Sequence, residues 1–327
     1  MIDFRYHLVS LAAVLIALSI GIVLGAGPLN DNIGSTLSGE VTKLRQEKEE
    51  LRRQANEDRR GLEARDAYDE QTLPGVVGDR LVERTATVVV LPEAADDDVQ
   101  EARDVLEESG ASVADTVEVD ADWAAAGDAA ADERDRTGDG ALRDLGVDAE
   151  VPDGAQTVDQ ALAVVVTGRE RAGSTERVER SARDAAWTRL RDAGLVEGPA
   201  QAPAAADLVV VVGGPVAAES ADDTSGSVDR AAEATAATWV ALTHLVQTHA
   251  DGTVLAAPEA EEGSADASPV TMARTQGSLA EGVSTVDDPD LPMGRAAIVL
   301  ALDEQLDGGS GHYGIGAGAD APVPEGA

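Results

Sequence analysis

An uncharged apolar run near the amino terminus constrains this chain more than any other feature. Residues 8–29 are 22 consecutive residues without a charge. As an α-helix they would span about 33 Å, which is enough to cross a hydrocarbon core of roughly 30 Å. The apolar region of a cleaved signal peptide is shorter, about 7–15 residues. We therefore expect a retained transmembrane anchor over residues 1–30, with a cleaved signal as the alternative.

The charges that flank this run predict its orientation. Arg5 precedes the run, and Asp31 is the first charge after it. By the positive-inside rule, we expect a single-pass cell-membrane protein with a cytoplasmic amino terminus and an extracytoplasmic body. Small residues also recur at every fourth position, where a second helix could approach closely: Ala13, Ala17, Gly21 and Gly25. The alternative is chance recurrence in an Ala/Gly-rich segment.

Residues 31–72 have the spacing of a coiled-coil stalk. Positions of one helix face alternate four and three residues apart, as in a heptad repeat. The apolar residues of this seam are Leu37, Val41, Leu44, Leu51 and Leu62. Lys48 and Asp58 interrupt the seam, so the alternative is a single amphipathic helix that lies on the body.

Charges beside the seam favour a parallel homo-oligomer. Glu40 and Glu47 precede seam positions, while Arg45 and Arg52 follow them. In a parallel, in-register pair each glutamate would face an arginine of the other copy. Parallel helices are also what two anchored copies require.

Composition limits the chemistry of the rest of the chain. The formal net charge is -37, from 62 acidic and 25 basic residues, so the body repels phosphate and we expect no nucleic-acid partner. The chain has no cysteine, which excludes disulfides, thiolate metal sites and cysteine nucleophiles.

The body, residues 80–306, has the pattern of an α/β fold. A β-branched strand at 85–91, a helix with a capping box at Asp97 and Gln100, and a strand at 111–119 predict a right-handed βαβ unit. Further buried strands are expected at 161–167, 208–212 and 253–257, and helices at about 174–194 and 228–249.

These elements predict a Rossmann-like parallel sheet. Pro-Glu-Ala follows a strand at both residue 92 and residue 258, so the body forms either one sheet or two related lobes. Residues 120–154 are expected to be an irregular insert, and residues 307–327 a Gly/Pro-rich tail.

Candidate ligands concentrate near the carboxyl terminus. Three aspartates form a turn before the last predicted helix, and one histidine follows that helix; they are Asp287, Asp288, Asp290 and His312. Carboxylates suit a hard cation, but aspartates at a helix entrance also act as caps.

Motifs for other chemistry are absent or misplaced. Residues 309–314 satisfy GxGxxG but follow a predicted helix rather than a strand, so we expect neither nucleotide binding nor a bound cofactor. No nucleophile elbow or HExxH motif occurs, and we expect no enzyme. An α/β enzyme that acts at the membrane is the alternative.

The two ends of the chain together resemble a known family. MIDFRYHLVSLAAVLIALSIGIVLGAGPL at the start and VSTVDDPDLPMGRAAIVLALDEQLDGGSGHYGIG near the end resemble the actinobacterial copper transport protein B family, MctB. The resemblance implies copper as a transported ion, efflux through an envelope channel that lowers intracellular copper, an outer-envelope location and oligomers.

The residues themselves do not show how copper would pass. Cu(I) prefers thiolate and thioether ligands, and the chain offers only Met1, Met272 and Met293. Seven aromatic residues cannot build the two aromatic girdles of an outer-membrane barrel. A pore would need several anchor helices or a partner. The alternative is a tethered scaffold or sensor whose acidic body binds another envelope protein.

Overall fold

The described part of the computed structural model comprises residues 4–25, 29–152, 154–218, 229–275 and 282–325, with the backbone alone for 29–38. The chain divides into two compact units, Met1–Arg65 and Asp66–Ala327. The first contains helices, and the second contains the sheet and its covering helices.

The apolar run near the amino terminus forms α1 (Phe4–Gly25). It is rich in leucine, alanine and isoleucine, has a mean hydropathy of 2.7, and none of it is buried. All four residues of the predicted small-residue ridge lie on α1. A Cβ placed on Gly21 or Gly25 would meet nothing within 4 Å, so the ridge is open in a single copy and helix association stays a prediction.

The predicted stalk is helical throughout, as part of α2 (Leu29–Val77). Glutamates and basic residues one turn apart support the helix, as in the pairs Lys43–Glu47 at 3.8 Å and Arg59–Glu63 at 3.5 Å. The side chains of four predicted seam residues are exposed: Val41, Leu44, Leu51 and Leu62. The side chain of Leu37 lies outside the described part. The coiled coil therefore stays a prediction.

The second unit is built on one mostly parallel sheet, which confirms the α/β class. Among the described residues it has eight strands: β1 (Thr85–Val90), β2 (Ser112–Val113), β3 (Val117–Val119), β4 (Val196–Glu197), β5 (Leu208–Val212), β6 (Gly252–Ala256), β7 (Ser284–Val286) and β8 (His312–Tyr313). Their order is β4-β3-β1-β5-β6-β7-β8, with β2 also paired to β1. Only the β3/β4 pair is antiparallel among these strands.

Within the described ranges, seven α-helices cover this sheet in addition to the end of α2. They are α3 (Asp96–Glu108), α4 (Asp128–Leu145), α5 (Thr157–Thr167), α6 (Arg180–Asp192), α7 (Arg230–Gln247), α8 (Pro269–Thr275) and α9 (Pro292–Leu306). The strand residues alternate between two apolar cores. Val209 and Val211 face the core that contains α4 to α8, whereas Leu208 and Val210 face the core with α3, α9 and the end of α2. The sheet is therefore the middle of three layers.

The first βαβ unit has the predicted parallel strands, with two differences in detail. β1 pairs in parallel with both β2 and β3, because the predicted strand at 111–119 is interrupted at residues 114–116. The predicted capping box is wrong. The helix begins two residues earlier, with Ala95 as its N-cap and no side-chain cap, and the Gln100 amide donates to Asp104 Oδ1 at 2.7 Å.

The predicted strand at 161–167 is wrong, since these residues belong to α5. A continuous apolar run can be a buried strand or a buried helix. Here the start is fixed by a capping box of Gln156 and Asp159, and the end by Gly168 in the left-handed conformation. Ten of the eleven residues are buried, because α4, α6 and α7 all pack against this helix.

The predicted irregular insert at 120–154 is also wrong, since it contains a short 3₁₀ helix (Ala121–Ala124) and α4. The buried positions of α4 recur at the spacing of one helix face, and several carry small side chains. They include Thr137, Gly138, Ala141, Leu142 and Leu145. Trp123 anchors the segment by donating to Asp159 Oδ1 at 2.7 Å. The insert is thus part of the core.

Candidate functional site at the carboxyl edge of the sheet

Parallel strands place their carboxyl ends along one edge of a sheet, and ligands of open α/β folds bind there. In this chain the residues that follow β1, β6 and β7 at that edge include Glu93, Glu259 and Asp287. The strand order changes direction at β1, which has β3 on one side and β5 on the other. In open α/β folds a ligand usually binds at such a point, which here is the crevice between β1 and β5.

This crevice is closed by the chain's own backbone. A Cβ on Gly214 would lie 2.0 Å from the carbonyl oxygen of Glu93, so the turn after β5 packs directly on the loop after β1. The Gly213-Gly214-Pro215 sequence therefore serves a tight turn. Burial raises the pKa of the Glu93 carboxyl.

The carboxyl end of β7, two strands from β5, holds a buried ion pair. Arg274 of α8 contacts Asp287, the first residue after β7, with Nη1 to Oδ2 at 2.6 Å. The arginine side chain is 2% exposed and the aspartate side chain 0%. The guanidinium also donates to Thr285 Oγ1 at 3.0 Å and to the Tyr313 carbonyl at 2.8 Å. Charge-assisted bonds of this kind offset the cost of burying both charges.

The pKa values of the neighbouring carboxyls Asp287 and Asp288 are shifted in opposite directions. Burial alone would raise the pKa of Asp287, but its hydrogen bond with Asp288 and its contacts with Arg274 hold the pKa below its usual range. Burial first, and then the hydrogen bond and charge of Asp287, raise the pKa of Asp288 to about 7. Near neutral pH Asp287 is the ionised member, and Asp288 holds or releases a proton.

The glycine-rich tail closes around Asp287. Ile315 N–H donates to Asp287 Oδ1 at 3.0 Å, and Gly316 N–H donates to Oδ2 at 2.9 Å. A Cβ on Gly314, whose φ is +127°, would lie 1.9 Å from Asp287 Oδ1. The last glycine of the GxGxxG sequence thus lets backbone approach a carboxylate of the same chain. With β8 paired to β7, the predicted tail belongs to the body.

Three of the four predicted metal ligands, Asp287, Asp288 and His312, have other partners in the structure. His312 Nδ1 lies 3.0 Å from Thr285 Oγ1, which also accepts a hydrogen bond from Arg274 Nε. Burial lowers the pKa of His312. Asp290 is exposed at the entrance to α9, whose N-cap is Leu291 without a side-chain cap. Across the described ranges, no three His, Asp or Glu side chains are arranged to hold a metal ion.

A second acidic cluster lies beside the first, where α3 and α9 begin. Asp98 of α3 is 7% exposed and has no hydrogen-bond donor among the described residues. Arg295 of α9 lies 3.8 Å from Glu101 and also contacts Glu70 of α2. Burial first, and then repulsion from Asp290, Glu101 and Asp97, raise the pKa of Asp98 to about 6.

We expect Asp98→Asn to stabilise the body at about pH 7.5, on the order of 1 kcal/mol after allowance for screening. The folded pKa of Asp98 is raised from its ordinary 3.8 to about 6. The folded state therefore binds the proton more tightly, and wild-type stability falls as pH rises through this window. Thermal unfolding at about pH 5 and about pH 7.5, followed by tryptophan fluorescence, measures the difference. The exposed neighbour Asp97→Asn is the control, and an equal effect there would contradict the role of Asp98.

An acidic cavity of about 370 Å³ shares Glu259 with the Asp287 site. The described residues that line it include four acids and no base: Glu233, Glu259, Glu261 and Asp266. Met272 of α8 also lines it. This wall attracts cations, but oxygen ligands suit hard cations better than Cu(I).

Sequence reasoning found the acids of this site and missed their partners. Arg274 is the only lysine or arginine between Arg230 and Arg295, in a strongly acidic stretch. This isolated positive charge was the signal that could have identified it. Asp98 is the third of three consecutive aspartates, and nothing in the sequence distinguishes it from the other two.

Comparison with known proteins gives the same family for the whole chain. A family model described as "Copper transport outer membrane protein, MctB" matches residues 1–324. Proteins named Copper transporter MctB from Mycobacterium tuberculosis and Mycobacterium bovis are 31% identical over 325 residues, covering 98% of this chain and 98% of each relative. The Mycobacterium leprae protein of that name is 31% identical over 344 residues, covering 99% of this chain and all of the relative.

The α1 helix agrees with the family description. Within the described ranges it is the one helix long and apolar enough to cross a membrane. The helix and the family together support membrane localisation. On the family match and the end-to-end identity, this chain belongs to the MctB family.

Proposed function

We propose that this chain is an envelope membrane protein that takes part in copper export and thereby limits intracellular copper. The observation that carries the proposal is the family match over residues 1–324. It is supported by relatives named as copper transporters that align along almost the whole chain. The protein works as a transport component rather than as an enzyme.

The arrangement we propose has α1 as a single-pass anchor with its amino terminus in the cytoplasm. Arg5 before the span and Asp31 after it support this orientation. The sheet-containing body then lies outside the cytoplasm. The outer-envelope location that the family description names is part of the same proposal.

The donor groups of this chain suit passage of copper better than tight retention. The chain has no cysteine, and the structure describes no group of three His, Asp or Glu side chains that could hold a metal ion. Conduction requires that an ion leave its sites as readily as it enters them. The acidic body would concentrate cations near the membrane without retaining Cu(I).

A single α1 helix cannot enclose a pathway. Its polar residues include Ser10 and Ser19, and the Ser19 hydroxyl already donates to the Leu15 carbonyl at 2.8 Å. Several copies of α1, or a partner protein, would have to form the channel. The second candidate function is a tethered scaffold or sensor, which is favoured by the exposed apolar face of α2.

We expect a deletion strain to accumulate copper several-fold and to lose growth on graded copper. The full chain should restore both properties, whereas a chain without residues 4–25 should not, because it lacks the anchor. Cellular copper measured by mass spectrometry together with growth curves provides the readout, and graded zinc is the control. Unchanged copper content with altered envelope assembly would replace transport with the scaffold.

A chimaera separates anchoring from conduction. Residues 4–25 are exchanged for an unrelated apolar span of equal length. If α1 only anchors the body, the chimaera should restore copper tolerance. If α1 lines the pathway, the chimaera should reach the membrane but leave cells sensitive to copper.

A further inference from the structure

The α2 helix leaves an apolar face without a partner. Along the part that lies in the first unit, Val41 is 39% exposed, Leu44 60%, Leu51 65% and Leu62 55%. These residues follow one side of the helix over about 30 Å at about 1.5 Å per residue. An apolar stripe of this length on an otherwise charged helix is normally covered by another element.

We infer that a second copy of this chain covers this face, in a parallel, in-register two-stranded coiled coil over residues 37–62. Val41 and Leu62 occupy a positions, while Leu44 and Leu51 occupy d positions. The inference does not rest on copper transport, and it holds equally for a scaffold.

The charges beside the seam favour the parallel orientation. The g positions include Glu40 and Glu47, while the e positions include Arg45, Arg52 and Arg59. In parallel helices g faces e of the other copy, so glutamate meets arginine. In antiparallel helices g faces g and e faces e, so like charges would meet along both sides.

Three of these flanking charges are unpaired in a single copy. Glu40, Arg45 and Arg52 form no ion pair or hydrogen bond with any residue that the structure describes. Glu47 has only an exposed contact of 3.8 Å with Lys43. They are therefore available to a second copy without loss of a strong internal contact.

The two charged residues inside the seam also fit this arrangement. In a parallel pair, an a residue packs into a hole that includes the preceding g residue of the other helix. Lys48 therefore lies beside Glu47 of the second copy. A d residue packs beside the following e residue, so Asp58 lies beside Arg59 of the second copy. Both misfits acquire an opposite charge only in this register, and a lysine at an a position specifies register at some cost in stability.

Because the chain has no cysteine, single-cysteine variants test the inference directly. Leu44→Cys and Leu62→Cys are made separately in the full chain, in native membranes or detergent, and are oxidised with diamide. We expect disulfide-linked dimers from both. The controls are Gln46→Cys and Arg60→Cys, two residues away on the outer face, which should cross-link about tenfold less given the width of a helix pair.

The pattern of cross-links decides the geometry. Residues 44 and 62 lie about 27 Å apart along the helix, so an antiparallel pair cannot bring both to their own counterparts. Equal cross-linking at all four positions, or none at 44 and 62, would overturn the inference. Dimers through α1 alone would not reproduce the preference for 44 and 62 over 46 and 60.

A charge exchange provides a second test that needs no change to the apolar seam. Arg45→Glu with Arg52→Glu places glutamates opposite Glu40 and Glu47, and should abolish the cross-link of the Leu44→Cys chain. A second chain with Glu40→Arg and Glu47→Arg should also fail alone. Mixed with the first, it should restore the cross-link between differently tagged copies. If each variant dimerises as well alone as mixed, the proposed register is wrong.

Discussion

Arg274→Met should lower the free energy of unfolding of the sheet-containing unit by about 3–5 kcal/mol, the cost of leaving a buried charge without its partner. Arg274 and Asp287 are 2% and 0% exposed in their side chains, so water cannot replace the guanidinium. The variant also loses the bonds to Thr285 and to the Tyr313 carbonyl. Urea unfolding of the full chain in detergent, followed by tryptophan fluorescence, measures the loss, since Trp123, Trp187 and Trp239 are all buried in this unit.

Arg177→Met is the matched control. Arg177 contacts Asp207 at 2.7 Å, but its side chain is 39% exposed and Asp207 keeps Arg169 at 2.6 Å. We expect a loss of no more than about 1 kcal/mol there. Adding Asp287→Asn to Arg274→Met should recover part of the large loss, because no unpaired charge is then buried. Equal losses for the two arginine variants would show that the Asp287 site is not sealed from water.

The pH dependence of the same variant follows from Asp287. Its folded pKa lies below the ordinary 3.8, so the ion pair contributes stability above that pH, and this contribution is lost as pH falls through the folded value. The difference between wild type and Arg274→Met should therefore shrink in acid.

The strands were predictable where the local signal and the tertiary environment agree. Residues 85–90 and 208–212 are β-branched runs that end at proline or glycine, and they form neighbouring central strands in which Val89 is paired with Val211. The helix at 230–247 has its N-cap at Asp229, which accepts from Ala231 N–H and Ala232 N–H. In these segments the intrinsic propensity, the capping residues and the burial all favour the same secondary structure.

The errors arise where tertiary packing decides the local structure. The Val164-Val165-Val166 run has strand propensity, but it lies in a helix that is covered on every side. The Ala/Asp-rich insert has few large apolar residues, such as Trp123, Leu142 and Leu145, so alanines and glycines obscure its helical period. A close helix pair needs such small residues, but a sequence alone does not show which segment approaches them.

At the carboxyl edge of the sheet, too, tertiary contacts that the sequence does not show decide the roles of the residues. Acid density identified Asp287 and Asp288, whereas their roles depend on Arg274 and on the backbone at Ile315. These groups come from three separate segments that meet only after folding. Burial raises the pKa of both carboxyls, and the contacts of Asp287 with Asp288, Arg274 and Ile315 then lower the pKa of that residue alone, which sequence spacing cannot predict.

Gly138→Ala should destabilise the sheet-containing unit by roughly 3 kcal/mol, at the upper end of overpacking costs. Gly138 is on α4, where a Cβ would lie 2.2 Å from Thr157 Oγ1 and 2.5 Å from Val158 N. The obstacle is the first turn of α5, a helix with ten of eleven residues buried, so it cannot move aside without disturbing α6 and α7. The gain of about 1 kcal/mol in helix propensity from alanine does not offset this clash.

Gly140→Ala, two residues along the same helix, is the control for that propensity gain. Its Cβ would meet the Arg189 side chain at 2.9 Å, and Arg189 is 44% exposed with a surface contact to Asp144 at 2.8 Å. The guanidinium can swing into solvent, so the gain in propensity and the lost contact should cancel to within about 1 kcal/mol. The same tryptophan-monitored urea titration separates the two variants. If Gly138→Ala were as stable as Gly140→Ala, α4 and α5 would not approach as closely as their backbones do here, and the helical insert would be less tightly joined to the core.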